Sequence, residues 1–155
     1  MQKIVFVCLG NICRSPVAEG IMLHLIEERK LHKHFQVDSA GTAGYHIGEA
    51  PDHRTIKNAK KNGVDLNKLR ARKFSASDFD SFDKIFVMDE SNYQNVIAMT
   101  KDKAHHAKID YLLNLSSPNK NLPVPDPYYG NESNFEEVFK LVYNACEKLI
   151  EGSLK

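Results

Sequence analysis

The sequence has no tryptophan and only three cysteines, Cys8, Cys13 and Cys146. So low and odd a count excludes the disulfide framework on which small secreted domains depend. Long apolar runs are missing as well, and no stretch approaches the roughly 20 residues of a membrane span. The apolar run in Met1–Val7 is too short for a secretory leader with a cleavage site. Charge of one sign is also lacking, because 21 Lys and Arg offset 20 Asp and Glu to a net +1. That balance points neither to nucleic acid nor to an acidic membrane surface. One local basic stretch, Lys68–Lys73, reads as solvated surface. The expectation is a cytoplasmic protein that binds neither nucleic acid nor membrane, a monomer with at most weak self-association. What is present, 42% hydrophobic and 26% charged residues over 155 positions, fits a single domain spanning residues 1–155.

Strands and helices alternate along the chain. Ile4–Val7 is an unbroken β-branched and aromatic run, the pattern of a strand covered on both faces. A Gly-containing turn follows. Ser15-Pro16 then reads as an N-cap with proline at the first helical position. Apolar residues at Val17, Ile21, Leu25 and at Met22, Ile26 carry helical spacing to about Lys30. Phe35–Ala40 predicts a second strand, and Arg54–Asn62 a helix closed at Gly63. Lys84–Met88 predicts a third strand, and Asp89 caps a helix to about Thr100. Ala107–Asp110 is a weaker fourth strand. Asn114–Gly130 holds four of the six prolines and reads as loop. A last helix starts near Ser133, where Ser133 and Glu136 fit a capping box. Cys146 falls beside its apolar stripe as a small buried hydrophobe. The fold class is α/β: one three-layer domain, a four-stranded parallel sheet with helices on both faces.

Cys8 stands at the carboxyl end of the first strand, where such folds bind ligands. Five residues separate it from Arg14, and then the helix begins. A loop of that length can turn its N–H groups inward and form a nest for a phosphate dianion. Gly10 and Asn11 tolerate the left-handed angles a nest requires. The helix dipole and these donors stabilise negative charge, which favours a thiolate on Cys8, the stronger nucleophile. The planar fork of Arg14 matches two phosphate oxygens. Ser15 can donate its hydroxyl to the sulfur. A bare Cys-x5-Arg is also compatible with a buried thiol and a surface arginine; the strand before it and the Ser-Pro after it argue for a phosphate cradle.

These residues resemble the low-molecular-weight protein tyrosine phosphatases. The stretch Val7-Cys8-Leu9-Gly10-Asn11-Ile12-Cys13-Arg14-Ser15-Pro16 matches their N-terminal signature. The likeness continues, in order, through Asp38–Thr42, Pro51–Arg54, Arg70–Arg72, Met88–Asn92 and Asp126–Gly130. The resemblance implies hydrolysis of phosphotyrosine in proteins through a phosphocysteine on Cys8, with no cofactor and no metal. Its phosphate-binding loop comprises Leu9, Gly10, Asn11, Ile12, Cys13 and Ser15 with Arg14. It implies Asp126 as general acid and then base, although an aspartate in a stiff turn is also a common local cap. It places Tyr128 and Tyr129 on one wall of a cleft and Tyr45 on the other, shaped for a phenyl ring. It makes Cys13 a redox guard that captures oxidised Cys8 as a disulfide; a small loop residue pointing into protein is the plainer alternative. Asp89 and Asn92 look mainly structural. One departure stands out: Leu69 occupies a place where many relatives carry a histidine that supports the loop asparagine.

The pairs His32/His34 and His105/His106 have no carboxylate or cysteine at ligand spacing and read as surface residues. Three other activities compete. Thioredoxin-coupled arsenate reduction on this fold needs two more cysteines after the loop, and only Cys146 lies beyond Cys13. Arginine phosphatases of this fold typically carry threonine at Ile12 and an acid loop reading Asp-Pro-Phe-Gly. A phosphotyrosine-binding module without turnover would need neither Cys8 nor Asp126.

Overall fold

In the computed structural model, which describes residues 1–154, the unbroken run Ile4–Val7 lies at the buried centre of a parallel sheet. It belongs to β1, Gln2–Cys8. β2, Phe35–Gly41, pairs on one side and β3, Lys84–Val87, on the other, with β4, Ile109–Tyr111, beyond β3. All pairings are parallel, and the order is β2-β1-β3-β4. The chain leaves β1 towards one edge and later returns to its other side. The end of β1 is therefore the point where the winding reverses, the natural crevice of an open α/β sheet.

The two faces of β1 point into separate apolar clusters, as alternation along a strand requires. Ile4 and Phe6 pack with Ile21, Met22 and Leu25 of α1, Arg14–Glu28, and with Val142, Ala145 and Leu149 of α6, Glu132–Ser153. α2, His53–Lys61, adds Ala59 to that layer. Val5 and Val7 face Phe74, Phe79 of α3, Asp78–Ser81, and Val96 of α4, Glu90–Ile97. α5, Lys103–His106, sits outside this layer, and the His105 ring stacks on Phe79 at 5.0 Å. The expected three layers are present, and Cys146 is fully buried on α6 as a small apolar side chain.

Several boundaries differ from the sequence reading. α1 begins one residue earlier than Ser15, with Cys13 as N-cap and no side-chain capping bond. The Ser15 hydroxyl does not cap the helix because it meets Cys8 Sγ and the Asn11 amide instead, and Pro16 falls within the first turn, where it is tolerated. The last helix is capped by Asn131 with Asn134, not by Ser133 with Glu136. Asn131 accepts from the Ser133 N–H at 3.1 Å and Asn134 from the Asn131 N–H at 2.8 Å, while Glu136 is held by Asn62. The α4 helix ends at Ile97 rather than Thr100, and β4 is shifted to Ile109–Tyr111. The short α3 and α5, and the 3-10 turn Leu112–Leu115, had no sequence expectation.

Gly41 ends β2 against the loop that follows β1. A Cβ there would sit 2.7 Å from the Leu9 carbonyl oxygen and 3.1 Å from the Asn11 nitrogen, both backbone atoms that cannot rotate away. Gly41→Ala is expected to cost about 1–3 kcal/mol in denaturant unfolding and to lower turnover by displacing the loop.

Candidate active site

Cys8 closes β1 almost fully buried, and the loop Leu9–Cys13 carries the chain to Arg14. Neighbouring segments fix the loop by its carbonyls. Thr42 N–H donates to the Cys8 carbonyl, Ala43 N–H to Leu9 and Asp52 N–H to Ile12, each at 2.9 Å. With the carbonyls held outward, the loop N–H groups face the other way; among the described residues, none from Leu9 to Cys13 donates to a backbone carbonyl. That is the nest expected from the sequence, lying at the start of a 15-residue helix. The left-handed backbone falls on Asn11, with φ 57°, and not on Gly10. Gly10 instead makes room for His46, whose Cδ2 would lie 3.2 Å from a Cβ at that position.

A non-glycine residue at positive φ has to be held there. The buried side chain of Asn11 does this with three hydrogen bonds. Its amide donates to Ser15 Oγ at 2.7 Å and to Ser39 Oγ at 2.9 Å, and its carbonyl oxygen accepts from the Arg72 N–H at 3.0 Å. Leu69 packs against the core, and the support expected from that position comes from the Arg72 backbone. Arg72 is not solvated surface, as the basic stretch implied. Its guanidinium joins Asp38 at 2.9 Å and Asp78 at 3.0 Å, fixing the segment that meets Asn11. The side chains of Asn11 and Ser15 therefore stand behind the loop, where they hold its shape. Ser15 Oγ lies 3.0 Å from Cys8 Sγ.

Arg14 is buried to 3% exposure, and its Nη1 donates to Asp89 Oδ2 at 2.7 Å and to the Val124 carbonyl at 3.0 Å. Burial alone would disfavour the charged guanidinium; Cys8, Asp89 and Asp126 together hold its pKa above the ordinary value. Asp89 was read as a helix cap. It is one, with Oδ1 accepting from the Asn92 N–H, but its other oxygen orients Arg14. Asp126 lies 3.7 Å from Arg14 Nη2 with its side chain 45% exposed. Its other oxygen accepts from the Tyr128 N–H at 3.1 Å.

Cys8, Leu9, Gly10, Ile12, Cys13, Arg14, Tyr45, Asp126, Tyr128 and Tyr129 line one cavity of about 250 Å³. The tenfold set is the sequence-derived site without Asn11 and Ser15. His46 completes the wall and was missed; its Nδ1 lies 2.6 Å from Glu49, and no spacing pattern marks it. Tyr129 is 96% exposed and Tyr128 packs edge-on against it, while Arg54 lies 5.4 Å over the Tyr128 ring. Cys13 is buried beside the cavity, and burial pushes its thiol up to about 12 against the opposing pull of Thr55. A larger groove of about 820 Å³ lies along the start of α6 by Lys61, with mixed charge and no cysteine among its lining residues.

A family model described as low molecular weight phosphotyrosine protein phosphatase matches residues 3–155. The protein of that name from Homo sapiens is 40% identical, over 97% of this chain and 94% of its own. Its counterpart from Schizosaccharomyces pombe is 44% identical over 88% and 87%. Among solved structures, the protein tyrosine phosphatase of Entamoeba histolytica superposes with a TM-score of 0.90 at 40% identity, covering 97% of this chain and 96% of that one. The Drosophila arginine phosphatase superposes at 0.88 with 32% identity, covering 97% of each.

Asp89→Asn keeps a good N-cap but removes the charge that faces Arg14. Thermodynamic stability is expected to fall by about 1.5–3 kcal/mol, and phosphatase turnover with it.

Proposed function

Because this chain belongs to the low molecular weight phosphotyrosine protein phosphatase family and is a protein-tyrosine phosphatase, we propose that Cys8, Arg14 and Asp126 carry its reaction. The Cys8 thiolate attacks phosphorus, and the bond from phosphorus to the tyrosyl oxygen breaks. Asp126 gives that oxygen its proton. The phosphate then sits on Cys8, its oxygens held by the Arg14 fork and the inward N–H groups of the loop. Water attacks phosphorus next. Asp126 takes the proton of the water, the S–P bond breaks, and the Ser15 hydroxyl donates to the departing sulfur. Inorganic phosphate leaves, and Cys8 is a thiolate again.

The observation that carries this assignment is one cavity holding the nucleophile, the buried cation and an accessible carboxylate beyond it. Tyr45, Tyr128 and Tyr129 form its aromatic mouth, a surface suited to a phenyl ring. The substrates are tyrosine-phosphorylated proteins, met in the cytoplasm by a single-domain monomer; among the described residues no helix is long and apolar enough to cross a membrane. Likeness to an arginine phosphatase gives a second reading specific support. Against it, Ile12 offers the cavity no hydroxyl for a guanidinium, and Tyr128-Tyr129 present rings. Phosphotyrosine and phosphoarginine peptides compared side by side test this, with phosphotyrosine expected to be cleaved faster. Cys8→Ser should abolish that cleavage while retaining binding, and Asp126→Ala should slow it by about 10²–10⁴-fold, most for poor leaving groups. Near-normal rates for Cys8→Ser would overturn the mechanism.

Cys13 serves as the redox guard in this reading. Peroxide converts the Cys8 thiolate to a sulfenic acid; the Cys13 thiol displaces water from it and forms a disulfide. A thiol reductant restores both cysteines. Peroxide inactivation should therefore be largely reversed by dithiothreitol in the wild type and much less in Cys13→Ser. Equal recovery would exclude the guard role.

A further inference from the structure

Glu19 lies on α1 four residues after Ser15, on a helix whose other acidic side chains face solvent. Its carboxylate turns inward. Ser39 Oγ donates to Glu19 Oε1 at 2.6 Å, the length of a hydroxyl bonded to a charged carboxylate. Among the described residues no ion pair reaches it. The charged groups that face it are Asp38 of β2 and Arg72 of the segment after α2, and Arg72 is already shared between Asp38 and Asp78.

The hydrogens behind the phosphate loop can be counted one by one. The two amide hydrogens of Asn11 go to Ser15 Oγ and Ser39 Oγ, so each serine hydroxyl is an acceptor towards Asn11. Each hydroxyl keeps one hydrogen to give. Ser15 has Cys8 Sγ at 3.0 Å, with the Ala40 carbonyl a poorer choice at 3.5 Å. Ser39 has Glu19. An ionised Glu19 is a pure acceptor and closes the set with every donor matched. A protonated Glu19 accepts more weakly, or competes by donating into Ser39, which Asn11 already serves.

We infer that Glu19 is a positioning residue for the phosphate loop, its carboxylate anchoring Ser39 and, through Ser39, the side chain of Asn11 that shapes the loop and directs the Ser15 hydroxyl to Cys8. The inference rests on the phosphatase reading for its effect on turnover, and on the hydrogen bonds alone for its effect on Asn11. Burial, with Asp38 adding to it, raises the Glu19 carboxyl to about 7 against the opposing pull of Ser39 and Arg72. The anchor is therefore set by pH near neutrality: firm above that value and slack below it. Stability runs the other way. A carboxyl raised in the folded state stabilises the fold fully below its ordinary value, and that contribution is lost as pH climbs through the raised one. The loop is best ordered where the fold gains least from Glu19.

Glu19→Gln keeps the size and one acceptor oxygen and fixes the neutral state at every pH. The test follows the Asn11 side-chain amide and the Arg72 backbone amide by NMR from pH 5.5 to 8.5. A shared midpoint near 7 is expected in the wild type and its loss in Glu19→Gln. With an aryl phosphate, the kcat of Glu19→Gln should be about three-fold or more below wild type at pH 8, KM holding within about two-fold, and the two enzymes should converge at pH 6. No midpoint in the unmodified protein, a midpoint that persists in Glu19→Gln, or a kcat deficit equal at both pH values would each overturn the inference. An inactive wild type would sink the phosphatase reading and leave the amide titration to be read on its own.

Discussion

A left-handed backbone at Asn11 is the constraint on which the site rests. The loop must reverse its carbonyls outward and its N–H groups inward within five residues, and one of those residues takes a conformation that L side chains resist. Glycine would adopt it without strain but would hold nothing in place. Asparagine adopts it and supplies three hydrogen bonds that keep it there, to α1, to β2 and to the segment before α3. The local strain is met by bonds to three separate parts of the fold, so the cradle is only as rigid as the sheet and helices behind it.

Charge imposes the second demand. A guanidinium with 3% exposure is costly unless paired. Arg14 meets Asp89 at 2.7 Å through one nitrogen and Asp126 at 3.7 Å through the other, so the fork is paired and held in orientation at once. The same economy appears at Arg72, whose two carboxylate partners make a fixed strut from what reads as a loose basic run. In both cases the charge is structural first, and its position is what chemistry can then use.

The sequence made the local parts legible and left the tertiary ones hidden. Cys8 announced itself because an unbroken apolar strand stops there and a helix starts soon after. Asp126, between two prolines, reads on its own as a turn residue, and only the family resemblance singles it out. Glu19 and Ser39 carried no such mark: an acid within a helix reads as solvent-facing, and nothing in one chain's spacing says that Ser39 sits behind it. Asp89 was legible as a cap but not as the partner of Arg14, which lies on another element. At the start of α6, two capping pairs overlap, and Asn131 with Asn134 prevails because Glu136 is drawn to Asn62. α3 and α5 span a single turn each, too little for periodicity to register.

The cavity draws its parts from opposite ends of the chain, and that has a consequence during synthesis. Cys8 and Arg14 leave the ribosome early. Val124, which accepts from the guanidinium, and Asp126, which lies 3.7 Å from it, follow on the order of a hundred residues later, roughly 5–25 s at ordinary elongation rates. Through that interval the nascent chain bears Cys8 without Asp126 and Arg14 without one of its anchors. β1 also lacks β3, its neighbour on one side, until the middle of the chain has emerged. The cavity is therefore a product of the later chain as much as of the earlier one: its lining cannot close until Asp126 and the tyrosines after it have emerged.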